Sequence, residues 1–252
     1  PTAGVAVTMS LTSGNGTLSG NLTETTSASG IATFDSLRID RNGIKIITAS
    51  SGITSSTAGN SFTILSANAT QIRVETAADG SGAIVPAQNV TPLGAVTVYA
   101  ISRDAFDNFI ENIAATTWTL QGVTGGVVAG DLVPAGDNRS ATFTGHLVGT
   151  AQIRATAPSL TPVNSGTLTV VPGTAKKLAF IQQPSNGIAG AFIAPPVTVQ
   201  VRDTADNAVA SENVSVSMTL SSGTGTLGGT MTQLTSAAGL ATFGDLTVNT
   251  PG

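Results

Sequence analysis

Residues 16–34 read GTLSGNLTETTSASGIATF, and residues 225–243 read GTLGGTMTQLTSAAGLATF. With Gly14 aligned on Gly223 the two copies stand 209 positions apart, and this register runs without a gap from Pro1/Ala210 to Gly43/Gly252. An ungapped match of that length marks an internal repeat. Both copies open on strict alternation, Val5-Ala-Val-Thr-Met-Ser-Leu11 and Val214-Ser-Val-Ser-Met-Thr-Leu220. Alternation places Val, Val, Met and Leu on one face of a strand, which is the core face. Gly14-Asn15-Gly16 and Gly223-Thr224-Gly225 follow as tight turns. No helical pattern comes after them, so these glycines are turn formers rather than a phosphate cradle.

The stretch between the copies is a divergent version of the same plan. Ala141-Thr-Phe143 answers Ala32-Thr-Phe34 and Ala241-Thr-Phe243, and Trp118 takes the place of Met9 and Met218. Arg103-Asp-Ala-Phe-Asp-Asn108 answers Arg202-Asp-Thr-Ala-Asp-Asn207, each after an alternating strand, Val96 to Ser102 and Val197 to Val201. Three modules are expected: 1–65, 66–173 and 174–252. The middle one is complete. The first lacks a counterpart of Lys177 to Ala208 and so its opening strands; the last lacks a counterpart of Ile44 to Leu65 and so its closing ones. Cut modules expose strand edges, which calls for further sequence at both ends or for strand complementation by a neighbouring copy. Many short alternating strands separated by turn signals predict an all-β fold of tandem two-sheet sandwiches.

The runs Lys177-Leu-Ala-Phe-Ile-Gln-Gln-Pro-Ser, Ala189-Gly190, Pro196-Val-Thr-Val-Gln-Val-Arg-Asp, Gly225-Thr-Leu-Gly-Gly and Gly239-Leu-Ala-Thr-Phe resemble bacterial immunoglobulin-like (Big) repeats, as in invasin- and intimin-type adhesins and long bacterial surface proteins. The resemblance is strongest in 174–252 and weaker in 66–173. It implies immunoglobulin-like Greek-key β-sandwiches, secretion, and a stalk-like or adhesive role. The family usually carries Gly-Asn in the turn where this chain has Asp107-Asn108 and Asp206-Asn207.

Composition narrows the function. Charged residues are only 10% of the 252, with 10 basic against 14 acidic, and the basic ones are scattered. Nucleic-acid binding needs clustered Lys and Arg, so none is expected. No run approaches the roughly 20 apolar residues of a membrane span. Cys is absent, which excludes disulfides, thiolate metal sites and cysteine nucleophiles. His146 is the single histidine and reads as a structural residue; without a second His, or a Ser-His-Asp set, no catalytic group is assembled and no enzyme is expected. Trp118 reads as the core plug of the middle sandwich. Asn-x-Ser/Thr sequons stand at Asn15, Asn21, Asn68, Asn89, Asn138 and Asn213; a Ser/Thr-rich chain produces several by accident, and N-glycosylation in a suitable host is the alternative reading.

The chemical candidate is the acidic turn Asp104, Asp107, Asn108 and Glu111, with its counterpart Asp203, Asp206, Asn207 and Glu212. Oxygen donors at such spacing suit Ca²⁺ at a module junction. Arg103 and Arg202 beside the carboxylates, and the turn preference of Asp and Asn, point instead to plain turns without a cofactor. Both readings stand at this level. The joints Leu65-Ser-Ala-Asn-Ala-Thr and Val171-Pro-Gly-Thr-Ala are short, so consecutive sandwiches are expected to keep a narrow range of angles. The expected role is an extracellular or cell-surface rod, stalk or filament segment, partnered by neighbouring copies or further modules of the same chain. The alternative is an adhesive module that recognises a host, matrix or carbohydrate partner through sandwich-end loops.

Overall fold

The computed structural model describes residues 1–52 and 54–250, with side chains described everywhere but 54–57. The last two positions of the second repeat copy, Pro251 and Gly252, lie outside it. The fold is all-β, as the abundance of Val, Ile and Thr in alternating runs dictates. Residues 1–65 form β1 (Ala6–Ser13), β2 (Leu18–Ser19), β3 (Thr23–Thr25), β4 (Arg38–Ile39), β5 (Gly43–Ser51), β6 (Thr54–Ala58) and β7 (Phe62–Ile64). Their main sheet is ordered β3-β1-β5-β6, with β7 also on β5, and β2 pairs β4.

The middle stretch forms β8 (Gln71–Glu75), β9 (Gln88–Val90), β10 (Ala95–Arg103), β11 (Phe109–Asn112), β12 (Thr117–Gln121), β13 (Leu132–Pro134), β14 (Ser140–Thr144), β15 (Gly149–Thr156), β16 (Thr161–Val163) and β17 (Leu168–Val170). One sheet is ordered β13-β14-β10-β8-β16, with β11 beside β10; the facing sheet is β12-β15-β17-β9. The chain crosses between sheets from β10 to β12, from β13–β14 to β15, and again to β17. Its opening strands pair parallel with its closing ones, β8 with β16 and β9 with β17. This is an immunoglobulin-like Greek-key sandwich. Its core holds Ile72, Val74, Val98, Ala100, Phe143, Ile153, Leu168 and Val170, all fully excluded from water. Trp118 packs against that core from its margin rather than plugging its centre, and donates its indole N–H to the Asn138 carbonyl at 3.1 Å.

Residues 174–250 form β18 (Lys177–Gln182), β19 (Val197–Arg202), β20 (Ser215–Ser217), β21 (Leu227–Gly228), β22 (Thr232–Leu234), β23 (Leu240–Phe243) and β24 (Thr247–Val248). They are arranged as β18-β19-β23, β20-β22 and β21-β24.

The repeat shows in the pairing. Ala6↔Thr25 and Leu18↔Ile39 recur 209 positions on as Ser215↔Leu234 and Leu227↔Val248. Met9 and Met218 are both half-buried, and their N–H groups reach the equivalent carbonyls of Leu22 and Met231, each at 2.8 Å. Cross-strand register also puts Trp118 opposite Ala155 where Met9 faces Ala49.

The copies differ where their neighbours differ. β1 runs through Ser13 because β5 lies along it, whereas β20 ends at Ser217 and has only β22 beside it. Leu240–Phe243 is a strand on β19, with Ala241, Phe243 and Leu246 at 0%, 0% and 1% exposure. Its counterpart Ile31–Phe34 has no β19 beside it, forms no strand, and leaves Ile31 62% exposed. A strand edge gains its hydrogen bonds and its cover together. Phe243→Ala is therefore expected to destabilise its module by about 3–5 kcal/mol, against ~1 kcal/mol for Phe34→Ala in the first, as measured by module-resolved hydrogen exchange in urea.

Candidate functional site: the inter-module joints

The sequence-predicted acidic turns sit where one module meets the next. β10 ends at Arg103 and β19 at Arg202, and each strand is followed by a five-residue turn of the pattern Asp-x-x-Asp-Asn. Asp107 N–H donates to the Asp104 carbonyl and Asp206 N–H to the Asp203 carbonyl, at 3.2 and 3.3 Å. The fourth residue takes a left-handed backbone, φ +66° at Asp107 and +72° at Asp206. This is the position where Gly-Asn would be the undemanding choice; Asp tolerates it better than most side chains do.

Asp104 and Asp203 are the centres. Each is buried, at 0% and 1% exposure. One carboxylate oxygen of Asp104 accepts the N–H groups of Phe106 and Asn108, both at 2.9 Å. The other accepts the Asn108 amide at 2.9 Å and the N–H of Ala67, in the linker, at 3.0 Å. Asp203 repeats the set with Ala205 and Asn207 at 2.9 Å, the Asn207 amide at 3.0 Å, and linker Gly173 N–H at 2.8 Å. Burial pushes the Asp104 carboxyl up, but the bonds from the Asn108 side chain and from the Asn108, Ala67 and Phe106 backbones outweigh it and hold it below the ordinary range. At Asp203 burial is likewise overridden, by Gly173, Asn207 and Ala205.

The asparagine of each turn reaches into the preceding module. Asn108 accepts the Asn42 N–H at 3.0 Å and donates to the Asp40 carbonyl at 3.0 Å. Asn207 accepts the Val148 N–H at 2.7 Å and donates to the His146 carbonyl at 2.9 Å. Both receiving pairs belong to the turn that leads into β5 or β15. Each Asn therefore uses its oxygen and both amide hydrogens, which fixes its orientation. At the first joint Asn42 is further tied by its amide to Ser66 Oγ at 2.8 Å and by its carbonyl to Lys45 Nζ at 2.7 Å. Lys45 is wholly buried on β5 and also donates to Asn15 Oδ1 at 2.6 Å.

The remaining predicted residues disperse. Asp107 pairs with half-buried Arg73, and Asp206 with Lys177 at 2.9 Å in an exposed position. Glu111 is exposed on β11 and Glu212 is exposed in the loop before β20. Arg103 and Arg202 donate to the equivalent carbonyls of Asp107 and Asp206, at 2.9 and 2.6 Å, and Arg103 also pairs with Glu75, with contacts of 2.5 and 2.7 Å. The His146 ring pairs with buried Asp131 at 2.7 Å, and its carbonyl serves the second joint. Among the described residues, no three His, Cys, Asp or Glu side chains gather as a metal site would require. The lone pairs of Asp104 and Asp203 point at N–H donors, which a cation would have to displace. Asp104, Asp107, Asn108 and Glu111, and likewise Asp203, Asp206, Asn207 and Glu212, spend their oxygens on N–H donors, basic side chains or solvent rather than on one common point; the calcium reading of these residues is left to the chelator experiment below.

No protein-family model and no curated protein matches the chain. Among solved structures, the chain is similar to the Escherichia coli adhesin FdeC at 18% identity and a TM-score of 0.35, over 99% of this chain and 79% of that one. Invasin, a bacterial integrin-binding protein, aligns at 16% identity and 0.29, over 99% of this chain and 48% of its own. Domains 4–9 of the surface layer protein SbsC align at 12% identity and 0.25, over 98% and 44%.

Sequence reasoning missed Asn42, Lys45, Ala67 and Gly173, because the groups they bring to the joint are backbone amides or an isolated lysine with no motif around it. The repeated Asp-x-x-Asp-Asn was the available signal.

Two predictions follow from the clamps. The Asp104 and Asp203 carboxyls are lowered by folding, so their stabilisation is complete above the ordinary Asp range near pH 4 and is lost as pH falls through their own, lower values. Hydrogen exchange of linker amides Ala67 and Gly173 is expected to lose protection below about pH 4, and the clamp reading fails if protection persists to full carboxyl protonation. A chelator is expected to leave the melting temperature unchanged, as followed by scanning calorimetry.

Proposed function

We propose that this chain is a structural segment of an extracellular rod, stalk or filament from a bacterial surface protein, in which immunoglobulin-like modules follow one another at fixed angles. The observation that carries the reading is the joint. Two successive linkers are each pinned by a buried carboxylate, and an asparagine from the second and from the third module bonds the backbone of the one before it. A linker whose amide is held by a buried anion resists bending, since breaking one such bond strands a charge. The adhesive alternative needs free loops at the sandwich ends, and at both joints the turns there are spent on the neighbouring module. The scarcity of charge and the absence of Cys suit a surface location. Partners on this reading are neighbouring copies or further modules, and strand complementation is one way to join them.

The test is the stiffness of the joints. Small-angle scattering of the native chain is expected to give one narrow distribution of inter-module distances. In the Asn108→Ala/Asn207→Ala pair the distribution is expected to broaden and shorten, with a loss of about 1–3 kcal/mol per joint from the stranded backbone groups. An unchanged distribution in the double variant would overturn the rod reading.

A further inference from the structure

The first module buries a lysine among neutral partners. Lys45 lies on β5 at 0% exposure, and its ammonium donates to Asn15 Oδ1 at 2.6 Å and to the Asn42 carbonyl at 2.7 Å. Among the described residues no carboxylate stands within ion-pair distance of it. A buried cation without an anion is costly. The fold itself does not call for one. Gly43↔Ile64 and Lys45↔Phe62, on β5 and β7, correspond to Gly149↔Val170 and Ala151↔Leu168 on β15 and β17, and the middle module closes the position with fully buried Ala151.

The turn Gly14-Asn15-Gly16 closes over this lysine. A Cβ on Gly14 would fall 2.6 Å from Lys45 Cδ and 2.5 Å from the Ile44 carbonyl oxygen, and one on Gly16 would fall 2.7 Å from Asp40 Oδ1. Both glycines have positive φ, +95° and +101°. The turn is thus held against the lysine while Asn15 itself is exposed. Thr124, in the turn that follows β12 of the middle module, is exposed as well, so the exposure belongs to the turn. Gly16 presents to Asn15 a backbone nitrogen that no side chain shields, and among the described residues no hydrogen bond engages its N–H.

We propose that Asn15 is a self-modifying site: it deamidates to aspartate, and the new carboxylate becomes the counter-ion of Lys45. The Gly16 amide nitrogen gives up its proton and bonds to Asn15 Cγ; ammonia leaves, and a succinimide ring closes. Water then opens the ring. Lys45 acts in both steps, because its hydrogen bond to Oδ1 makes Cγ more electrophilic and stabilises the oxyanion that forms there. The same polarisation directs water to Cγ rather than to the main-chain carbonyl. The new Cγ–N bond then breaks, and the product is ordinary aspartate instead of isoaspartate. Oδ1 stays beside the ammonium, and a negative charge replaces a neutral amide. The modification strengthens the tie from the turn through Lys45 to Asn42, which belongs to the first joint.

The test holds the freshly purified whole chain at neutral pH and follows it by peptide mapping and scanning calorimetry. Asn15 is expected to convert mainly to aspartate, and to do so about tenfold more slowly in Lys45→Met, which lacks the oxyanion-stabilising donor. Asn186-Gly187, exposed in the loop before β19, is the control within the same chain and should convert at one rate in both. Asn15→Asp is expected to raise the melting temperature by about 4 °C, and to raise nothing in the Lys45→Met background. The first of these two shifts reads the ion pair even where Lys45→Met fails to fold. An Asn15 that stays intact, isoaspartate as its main product, equal rates in the two chains, or an Asn15→Asp that melts no higher would each overturn the inference. So would a glycan on Asn15, or loss of ammonia without uptake of water, as in a direct Lys45–Asn15 cross-link.

Discussion

A β-strand owes its existence to its neighbour. The backbone of an extended segment leaves an N–H and a C=O at every residue in want of partners, and only an adjacent strand satisfies them in a row. This chain exhibits the constraint within a single molecule. Two stretches of related sequence in one ungapped register share every pairing that both contexts permit, and differ where a neighbour stands in one and not the other. The Ala-Thr-Phe that is a buried strand against β19 is an unpaired segment in the first module. Propensity and alternation are the same in both, so tertiary context makes the difference.

The same need for partners explains how the modules are joined. A short linker between two sandwiches carries polar backbone that neither sheet absorbs. Here the problem is solved by importing a charge: buried Asp104 and Asp203 each gather four N–H groups, one of them from the linker itself. A buried carboxylate without donors costs several kcal/mol, and one saturated with them is a strong organiser. In a chain with few charges, two are spent on joints. The adjacent asparagines then convert turn geometry into contact with the preceding module, because an amide presents a donor and an acceptor side by side, as an exposed backbone turn does.

The sequence made the sandwich legible, since alternation and a 209-position register are properties of side-chain order alone. Trp118 opposite Ala155 and Met9 opposite Ala49 show that even strand register was readable from the matched positions. The acidic turns were also found, but their purpose was ambiguous. Carboxylates at that spacing look alike whether they face a cation or backbone amides, and the linker N–H groups that decide the matter have no side-chain signature. Lys45 was invisible for a related reason. In an alternating run it occupies a core position, and only the fold brings Asn15 and the Asn42 carbonyl to its ammonium.

Within each turn the two aspartates divide the work. The first is buried and gathers donors; the second sits at positive φ and faces a basic residue on the strand beside it, Arg73 in one joint and Lys177 in the other. A glycine at the second position would relieve the left-handed backbone but lose that pairing. At Asp206 the pair is solvent-exposed, where such contacts are worth about 0–1 kcal/mol, comparable to the relief a glycine offers. At that joint the near balance means that the identity of the second residue hardly matters to stability, whereas in both turns the first and the asparagine are fixed by the bonds they make. The joint thus depends on a pattern of two residues, Asp and, four positions later, Asn, and the repetition of that pattern is what makes successive modules meet in the same way.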